Sequence, residues 1–538
     1  MPWLFLLRGL KGRAAFRWSW LIGFLFFLGS MWWLLQLTTF GGPAAILGWV
    51  VLCAYLALYF GAFGWFVRWF QGTTLVHSPQ STVHKRASSL PACAAQGGGK
   101  PPVFGAAGRQ PPASSLFVVP AAWTALEYAR SHVFTGLGWN LLAYSQTAWL
   151  PVIQAADITG AWGVSFLIVL VNVTLSELLD SRFPDARRTT HDARQRTYQS
   201  IIWTCVAVLV AVGYGVWRLS HVGGGETTRV AVVQGNIPQT EKWDESKHDE
   251  ILQRYETLTR EAAKTRPDLI VWPETSVPGF LDLDEDITQR LFTLASTVQL
   301  PMLVGSPRTQ LDGLVWRMTN GAALLEGNEV VRWYDKLHLV PFGEFIPFEH
   351  QLPWLRRVMP PIGEFVPGRT YTVFQTPVAS DEWRVASRAS SLVTGHSSLD
   401  FSVLICFEDV FPELARRFVR NGARLLLVIT NDAWFGPTAA AYQHVQASTF
   451  RAVELRVPLA RAANTGWSGC IDASGRRLGS VHDGSGNELF VSGTQTCDLP
   501  TGAANSLYLK WGDWFALLCL VVTLGAGGYQ IRQVTGDR

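Results

Sequence analysis

The chain lacks any marked excess of charge of one sign: 45 Lys and Arg stand against 41 Asp and Glu in 538 residues, a net charge of +4. That balance excludes nucleic acid as a partner. A metal-ligand constellation is missing too, since His338 and His444 stand without one, and the chain calls for no metal and no other cofactor. No small-residue cleavage signature closes the first long apolar stretch, which therefore reads as a signal anchor and not as a cleavable signal peptide. Two loops, Thr38 to Pro43 and Ser131 to Ala161, hold no Lys or Arg at all. That is the pattern of the non-cytoplasmic side of a membrane protein.

What is abundant is apolar and aromatic: 24 Trp and 30 Phe point to a membrane protein of two or more domains. Crossing a bilayer of about 30 Å takes about 20 apolar residues. Such spans are expected at Trp18 to Leu37, Ala44 to Val67, Trp162 to Leu179, Ile201 to Trp217 and Trp514 to Ile531. A weaker one, Leu116 to Tyr128, is interrupted by Pro120 and Glu127 and followed by Arg130; an ionisable residue in a membrane helix tends to face the bundle. Loop charge supports it. Arg8, Lys11, Arg13 and Arg17 precede the first span, Arg68, Lys85, Arg86, Lys100 and Arg109 follow the second, and Arg182, Arg187, Arg188, Arg194 and Arg196 follow the fourth. All three groups fall on the cytoplasmic side only if the weak span is counted.

Residues 1–219 are thus expected to form an N-terminal transmembrane bundle of about five spans, and 220–510 a domain outside the cytoplasm. Residues 511–538 supply a last transmembrane helix and a short cytoplasmic tail. The segment 71–113, rich in Ser, Pro, Gly and Ala, reads as a low-complexity cytoplasmic loop. From Thr228 to about Leu509 short β-rich runs alternate with helical ones. RVAVVQGN, DLIVWPE, PMLVGSP, AALLEG, EVVRWYDKLH, SVLICFE, RLLLVITND and PLARAAN read as strands. His248 to Lys264, Pro412 to Asn421 and Tyr442 to Leu455 read as helices, and Glu326-Gly327-Asn328 as a hairpin turn. The order indicates an α/β fold with buried sheets and outer helices.

Three of these segments carry a residue that cysteine acyl chemistry needs: Glu274 in DLIVWPETS, Lys336 in WYDKLHLVPFGE and Cys406 in SVLICFEDVFPE. A thiol attacks as thiolate, and with an ordinary pKa of about 8.5 it needs a group to take its proton. A carboxylate can do that, and an ammonium can face the oxyanion that forms when sulfur adds to a carbonyl. Each residue has a bland alternative. A Cys after Val403 to Ile405 is usually a core thiol, and Lys336 could be an ordinary surface lysine. Against that, Glu274 sits at a strand end before a turn signal, where sites collect. Glu408 and Asp409 follow the cysteine directly, and Tyr334, Leu337 and His338 surround the lysine.

The motifs QGNIPQ with Lys242-Trp243-Asp244, WPET, YDKLHLVPFGEFIP, ICFED and NDAWFG, in that order, resemble those of the carbon-nitrogen hydrolase (nitrilase) superfamily. From about Gly12 to the C-terminus the chain resembles the apolipoprotein N-acyltransferase family within it. The resemblance implies a multi-pass α-helical membrane bundle plus an α/β nitrilase-like α-β-β-α sandwich. It implies Cys406 as nucleophile, Glu274 as general base and Lys336 as oxyanion partner, with Glu344 and Glu408 as supporting acidic residues. For Glu344 and Glu408 a structural salt bridge is the alternative. Trp243 and Trp434 match aromatic positions lining a lipid-facing site, though either could be core, and Phe407 in the same set stands where many members have Tyr.

The implied reaction is N-acylation of the α-amino group of an N-terminal S-diacylglyceryl-cysteine, the last step of lipoprotein maturation, through a Cys thioester. The partners implied are a phospholipid acyl donor, phosphatidylethanolamine in the family, a diacylglyceryl-apolipoprotein acceptor and the membrane. The implied location is the bacterial inner membrane with the catalytic domain on the periplasmic side. A membrane-anchored nitrilase-type amidase acting on a soluble amide is the alternative. Members commonly have two further spans ahead of Trp18, and the segments 71–113 and Asp381 to Ser398 are longer than usual. Cys470 and Cys497 share the oxidising side; sequence does not place them together.

Overall fold

The computed structural model describes residues 2–7, 10–73, 115–182, 191–221, 226–312, 315–358, 364–378, 397–502 and 505–536. Almost all of the low-complexity segment 71–113 and of the insertion 381–398 lies outside the described residues.

Two six-stranded sheets form the soluble part. The first comprises β1 (Thr227–Gln234), β2 (Leu269–Val271), β3 (Met302–Asp312), β4 (Val315–Glu326), β5 (Glu329–Asp335) and, paired on the far side of β1, a late strand of the chain. The second comprises β6 (Phe374–Val378), β7 (Ser397–Ile405), β8 (Leu425–Thr430), β9 (Leu459–Ala463), β10 (Gly469–Ile471) and β11 (Arg477–Ser480). The late strand is β12 (Gly493–Pro500), antiparallel to β1. The order of the first sheet is β12-β1-β2-β3-β4-β5 and of the second β11-β10-β9-β8-β7-β6. Pairs β1/β2, β2/β3, β7/β8 and β8/β9 are parallel, and parallel strands are buried on both faces. That is why LIV and LLLVIT read as unbroken apolar runs.

Period-two alternation sorts the residues of β1 between two cores. Val230 and Val232 share a core with Leu303 of their own sheet and with Phe401, Val403 and Ile405 of the second sheet. Ala231 and Val233 point the other way, against Tyr255, Leu291 and Leu294 of the helices His248–Ala263 and Glu285–Val298. The helices Pro412–Arg420 and Ala440–Leu455 contribute Phe418, Val445 and Ala452 to the core that includes the second sheet, so the layers run α-β-β-α. The β4/β5 hairpin turns through Gly327, whose φ of 58° suits a residue without Cβ. Cys470 and Cys497 are joined by a disulfide that ties β10 to β12, the two sheets' strands. The strands β6, β10, β11 and β12 and the helix Glu285–Val298 were not expected from the sequence. Of these, β10 and β11 have 3 and 4 residues, too short to show a period.

Among the described residues, four helices are long and apolar enough to cross a membrane: Ala44–Gln71, Ala161–Ser181, Thr197–Ser220 and Trp514–Gln533. The expected continuous span Trp18 to Leu37 is instead broken. Helix Gly12–Ser30 ends and the chain bends by 58° into Trp32–Gly41. The break follows Gly29-Ser30, a pairing that favours kinks, and Trp33 beyond it turns toward the soluble domain. The expected weak span forms the helix Ser115–His132 but does not meet the length and apolarity of the other four. Its charged residues are turned inward: Glu127 accepts from the Leu142 N–H at 2.8 Å, and Arg130 donates to the Trp139 carbonyl at 2.8 Å.

One side chain joins the broken helix to the soluble domain. Gln443 Oε1 accepts from the indoles of Trp33 and Trp139 at 3.0 and 2.9 Å, while its Nε2 donates to the Ser30 carbonyl at 2.9 Å. Replacing Gln443 by Leu strands two indole N–H groups and a carbonyl. We expect a loss of about 2 kcal/mol, seen as a lower midpoint of thermal denaturation in detergent, whereas Ala at the exposed neighbour Tyr442 leaves the midpoint unchanged.

Candidate active site

The sheets bring Glu274, Lys336 and Cys406 to one end of the sandwich because each closely follows a strand. Glu274 comes three residues after β2, Lys336 directly after β5 and Cys406 directly after β7. Ligand sites of parallel sheets lie at such carboxyl ends. Register supplies the neighbours. Gly321 pairs with Asp335 in β4/β5, which sets Asn320 beside Lys336, and Ile405 pairs with Ile429 in β7/β8, which sets Thr430 beside Cys406.

Lys336 is 1 % exposed, and its Nζ lies 2.9 Å from Glu344 Oε1 and 3.6 Å from Glu274 Oε1. Asn320 Nδ2 bridges the same two oxygens at 2.7 Å to Glu274 and 3.0 Å to Glu344. The other carboxylate oxygens are fixed by main chain: the Asn431 N–H donates to Glu274 at 2.9 Å and the Val340 N–H to Glu344 at 2.8 Å. Burial pulls the Lys336 ammonium down, but the Glu344 and Glu274 carboxylates outweigh it and hold its pKa above the ordinary value. Burial, and then the Glu274 charge, push the Cys406 thiol well up, opposed by Lys336 and by a hydrogen bond with Thr430. Burial thus favours the neutral form of the Cys406 thiol, while the neighbouring acids favour the charged form of Lys336.

Cys406 has φ 53°, the left-handed region that a non-glycine residue enters at a cost of about 1–2 kcal/mol. The turn Cys406–Val410 is held there by Glu408, which is fully buried. Its carboxyl accepts from the Ile405 N–H at 2.7 Å on the cysteine side, and from the Leu337 and His338 N–H groups at 2.7 and 3.0 Å on the lysine side. The Tyr334 hydroxyl adds a contact of 2.8 Å. Glu408 thus braces the two segments against each other. Glu344 forms a salt bridge with the buried Lys336, the structural alternative given for it, and Glu408 ties main chain to main chain.

Among the described residues, no hydrogen bond joins the three aromatic candidates to the carboxylate-ammonium cluster. Trp243 is 48 % exposed, Trp434 packs edge-on to Phe40 with ring centres 4.9 Å apart, and Phe407 packs on Phe411 at 5.0 Å. Sequence reasoning gave no role to four residues the structure puts in the cluster: Lys242, Asn320, Thr430 and Asn431. Lys242 is buried, its pKa lowered to about 8 by that burial, and it donates to the Glu274 carbonyl at 3.0 Å. It and Asn431 stood inside quoted motifs; Asn320 had no signal beyond its place in a hairpin. His444, which stood in the sequence without a ligand constellation, lies with Nε2 3.2 Å from the Cys406 carbonyl and 2.8 Å from Asp409.

Residues 229–494 match the carbon-nitrogen hydrolase family, and the class of the soluble part is that of its two-sheet enzymes. Residues 1–174 match the apolipoprotein N-acyltransferase N-terminal domain. An apolipoprotein N-acyltransferase of Geobacter metallireducens is 35% identical over 94% of this chain and 85% of its own length. One of Shewanella oneidensis is 29% identical over 97% and 89%. Among solved structures, a nitrilase-superfamily amidase of Nesterenkonia AN1 is 20% identical over 54% of this chain and 95% of that one, with a TM-score of 0.35. The chain belongs to the apolipoprotein N-acyltransferase family, and is an acyltransferase with a carbon-nitrogen hydrolase catalytic domain.

Two outcomes follow from the geometry. A Cβ on Gly305 would stand 2.6 Å from the Thr275 nitrogen and 2.8 Å from Glu274 Cα, so Gly305→Ala must shift Glu274. A displacement of that order lowers turnover about 10²-fold, measured as kcat, and the overpacking itself costs about 1–3 kcal/mol, seen as a lower thermal midpoint. Burial pushes Glu408 up to about 7 from its ordinary 4.5. The folded chain then keeps this proton to higher pH than the unfolded chain, so the associated stability is fully present below about 4.5 and is lost as pH rises to about 7. In parallel denaturation series, the advantage of the unaltered protein over Glu408→Gln shrinks across that window.

Proposed function

We propose that Cys406, Glu274 and Lys336 transfer an acyl chain from a membrane phospholipid to the α-amino group of an N-terminal S-diacylglyceryl-cysteine. The single observation that carries this reading is the buried Lys336 ammonium held between Glu344 and Glu274, with the Cys406 thiol in the field of both Lys336 and Glu274. In the first half, Glu274 takes the thiol proton as sulfur attacks the donor's ester carbonyl, and Lys336 faces the oxyanion. Collapse breaks the ester C–O bond; the leaving alkoxide takes the proton from Glu274 and departs as lysophospholipid. In the second half, the acceptor amine attacks the thioester and passes a proton to Glu274. Collapse expels the Cys406 thiolate, which recovers that proton, and the amide product leaves. The cycle needs no metal or cofactor in its balance.

The donor is proposed to be phosphatidylethanolamine, entering from the outer leaflet of a bacterial inner membrane. The proposed division places residues 1–219 and 511–538 in the membrane and 220–510 on its periplasmic face. The loops free of Lys and Arg support that orientation, and the Cys470–Cys497 disulfide suits an oxidising compartment. Trp243, Phe407 and Trp434 are proposed to contact lipid.

Incubating the purified protein with acyl-labelled phospholipid should leave a hydroxylamine-sensitive label on the enzyme, absent in Cys406→Ser. Glu274→Gln should slow both halves about 10²–10⁴-fold, by single-turnover measurement. No adduct in the unaltered protein, with hydrolysis of a soluble amide in its place, sinks the transferase reading in favour of an amidase.

A further inference from the structure

A cavity of about 440 Å³ opens beside the cluster, and Glu274, Lys336 and Cys406 are not in its wall. It lies where the membrane part meets the sandwich: Phe40 comes from the helix after the bend, and the remaining lining residues come from the sandwich. Two sandwich residues of the wall, Asn236 and Phe490, have φ of 53° and 56°. Backbone strain of this kind persists only where the surroundings enforce it. Here Asn236 Nδ2 donates to the Phe490 carbonyl at 2.9 Å, and the Phe490 N–H donates to the Thr465 carbonyl at 2.8 Å. The wall is built.

Thr465 supplies the second observation. It lines the cavity, is 1 % exposed, and among the described residues its hydroxyl has no hydrogen-bond partner, which a folded protein tolerates at a cost unless something else satisfies it. Gln239, also in the wall, connects the cavity to the cluster. Its Oε1 accepts from Asn431 Nδ2 at 2.6 Å, and the Asn431 N–H holds Glu274.

Among the described residues no lining residue carries charge: beside Phe40, Pro238 and Phe490 stand amides, hydroxyls and Ala433. A phosphate or ammonium headgroup would be desolvated there without a partner. A peptide main chain, neutral with alternating N–H and C=O groups, fits. From these observations we infer that the cavity binds the acceptor's polypeptide, the residues that follow the modified cysteine. The amine then sits at Glu274 while its own chain runs over Gln239 toward Thr465. The inference rests on the acyl-transfer reading above and adds the part of the acceptor that the lipid does not cover.

The test separates the two halves of the reaction in the full-length enzyme. Thr465→Val removes the unpartnered hydroxyl without changing shape, and Thr240→Trp fills the cavity from its exposed rim. Acceptors are diacylglyceryl-cysteine amide and the same group carrying a short Ser-Gly-Ala peptide. In both variants the acyl-enzyme should form from phospholipid at the unaltered rate. KM for the peptide acceptor should rise about fivefold in Thr465→Val and more in Thr240→Trp, and the preference for the peptide over the amide should disappear. Unchanged acceptor KM in both variants overturns the inference, as does slower acyl-enzyme formation with acceptor KM unmoved. Absence of any acyl-enzyme in the unaltered protein is a separate result: it removes the transfer reading and this inference with it.

Discussion

Everything at the candidate site depends on keeping one ammonium out of water. A buried charge without partners costs several kcal/mol, and Lys336 survives burial because Glu344 and Glu274 lie 2.9 and 3.6 Å away. The pair of acids in turn would repel each other without the lysine and the Asn320 amide between them. The four groups therefore stand or fall together, which is why main-chain donors fix both carboxylates and why Glu408 ties the lysine segment to the cysteine turn. The ammonium is fixed in place, and on the reading proposed above it would face the developing oxyanion without having to move.

That preorganisation explains the sandwich, but not the attachment to a membrane. The link is the seam. The bend after Ser30 carries Trp33 to Gln443 and Phe40 to Trp434, so the first membrane segment reaches residues just downstream of β8. The Arg456 side chain reaches back to Asp157 at 2.7 Å, and Glu454 accepts from the Ala161 N–H at 2.9 Å. A soluble enzyme would need none of these contacts. The contacts of Gln443 and Trp434 hold the cluster-bearing end of the sandwich against the apolar bundle, and those of Glu454 and Arg456 hold the opposite end of the helix Ala440–Leu455 against it.

The sequence was most legible where chemistry and periodicity coincide. Strands such as LLLVIT, buried on both faces, and amphipathic helices such as His248–Ala263 carry their pattern in a short window, and Glu274, Lys336 and Cys406 sit beside them. Less legible were residues whose role exists only through pairing. Asn320 matters because β4/β5 register sets it across from Lys336, and a one-residue slip would turn its side chain to the opposite face. Short strands such as β10 owe their existence to neighbours, and the disulfide to sheet packing. The bend within the first span was not legible for a related reason: composition gave 20 apolar residues, while the contacts to Gln443 beyond Gly29-Ser30 exist only in the fold.

The same logic bears on the acceptor. An acyl-thioester can be attacked by water or by an amine, and hydrolysis is the fate in a wet site. The cluster contains no group that selects nitrogen over oxygen; Glu274 would serve either. Discrimination must therefore come from holding the amine in line and long enough to exclude water, and that requires contacts to parts of the acceptor remote from the reacting nitrogen. Lipid chains supply affinity but little orientation. On the inference drawn above, a neutral, hydrogen-bonding cavity one residue removed from Glu274 would supply that orientation, and the choice of amine over water would be made at Gln239 and Thr465 and not at the cysteine.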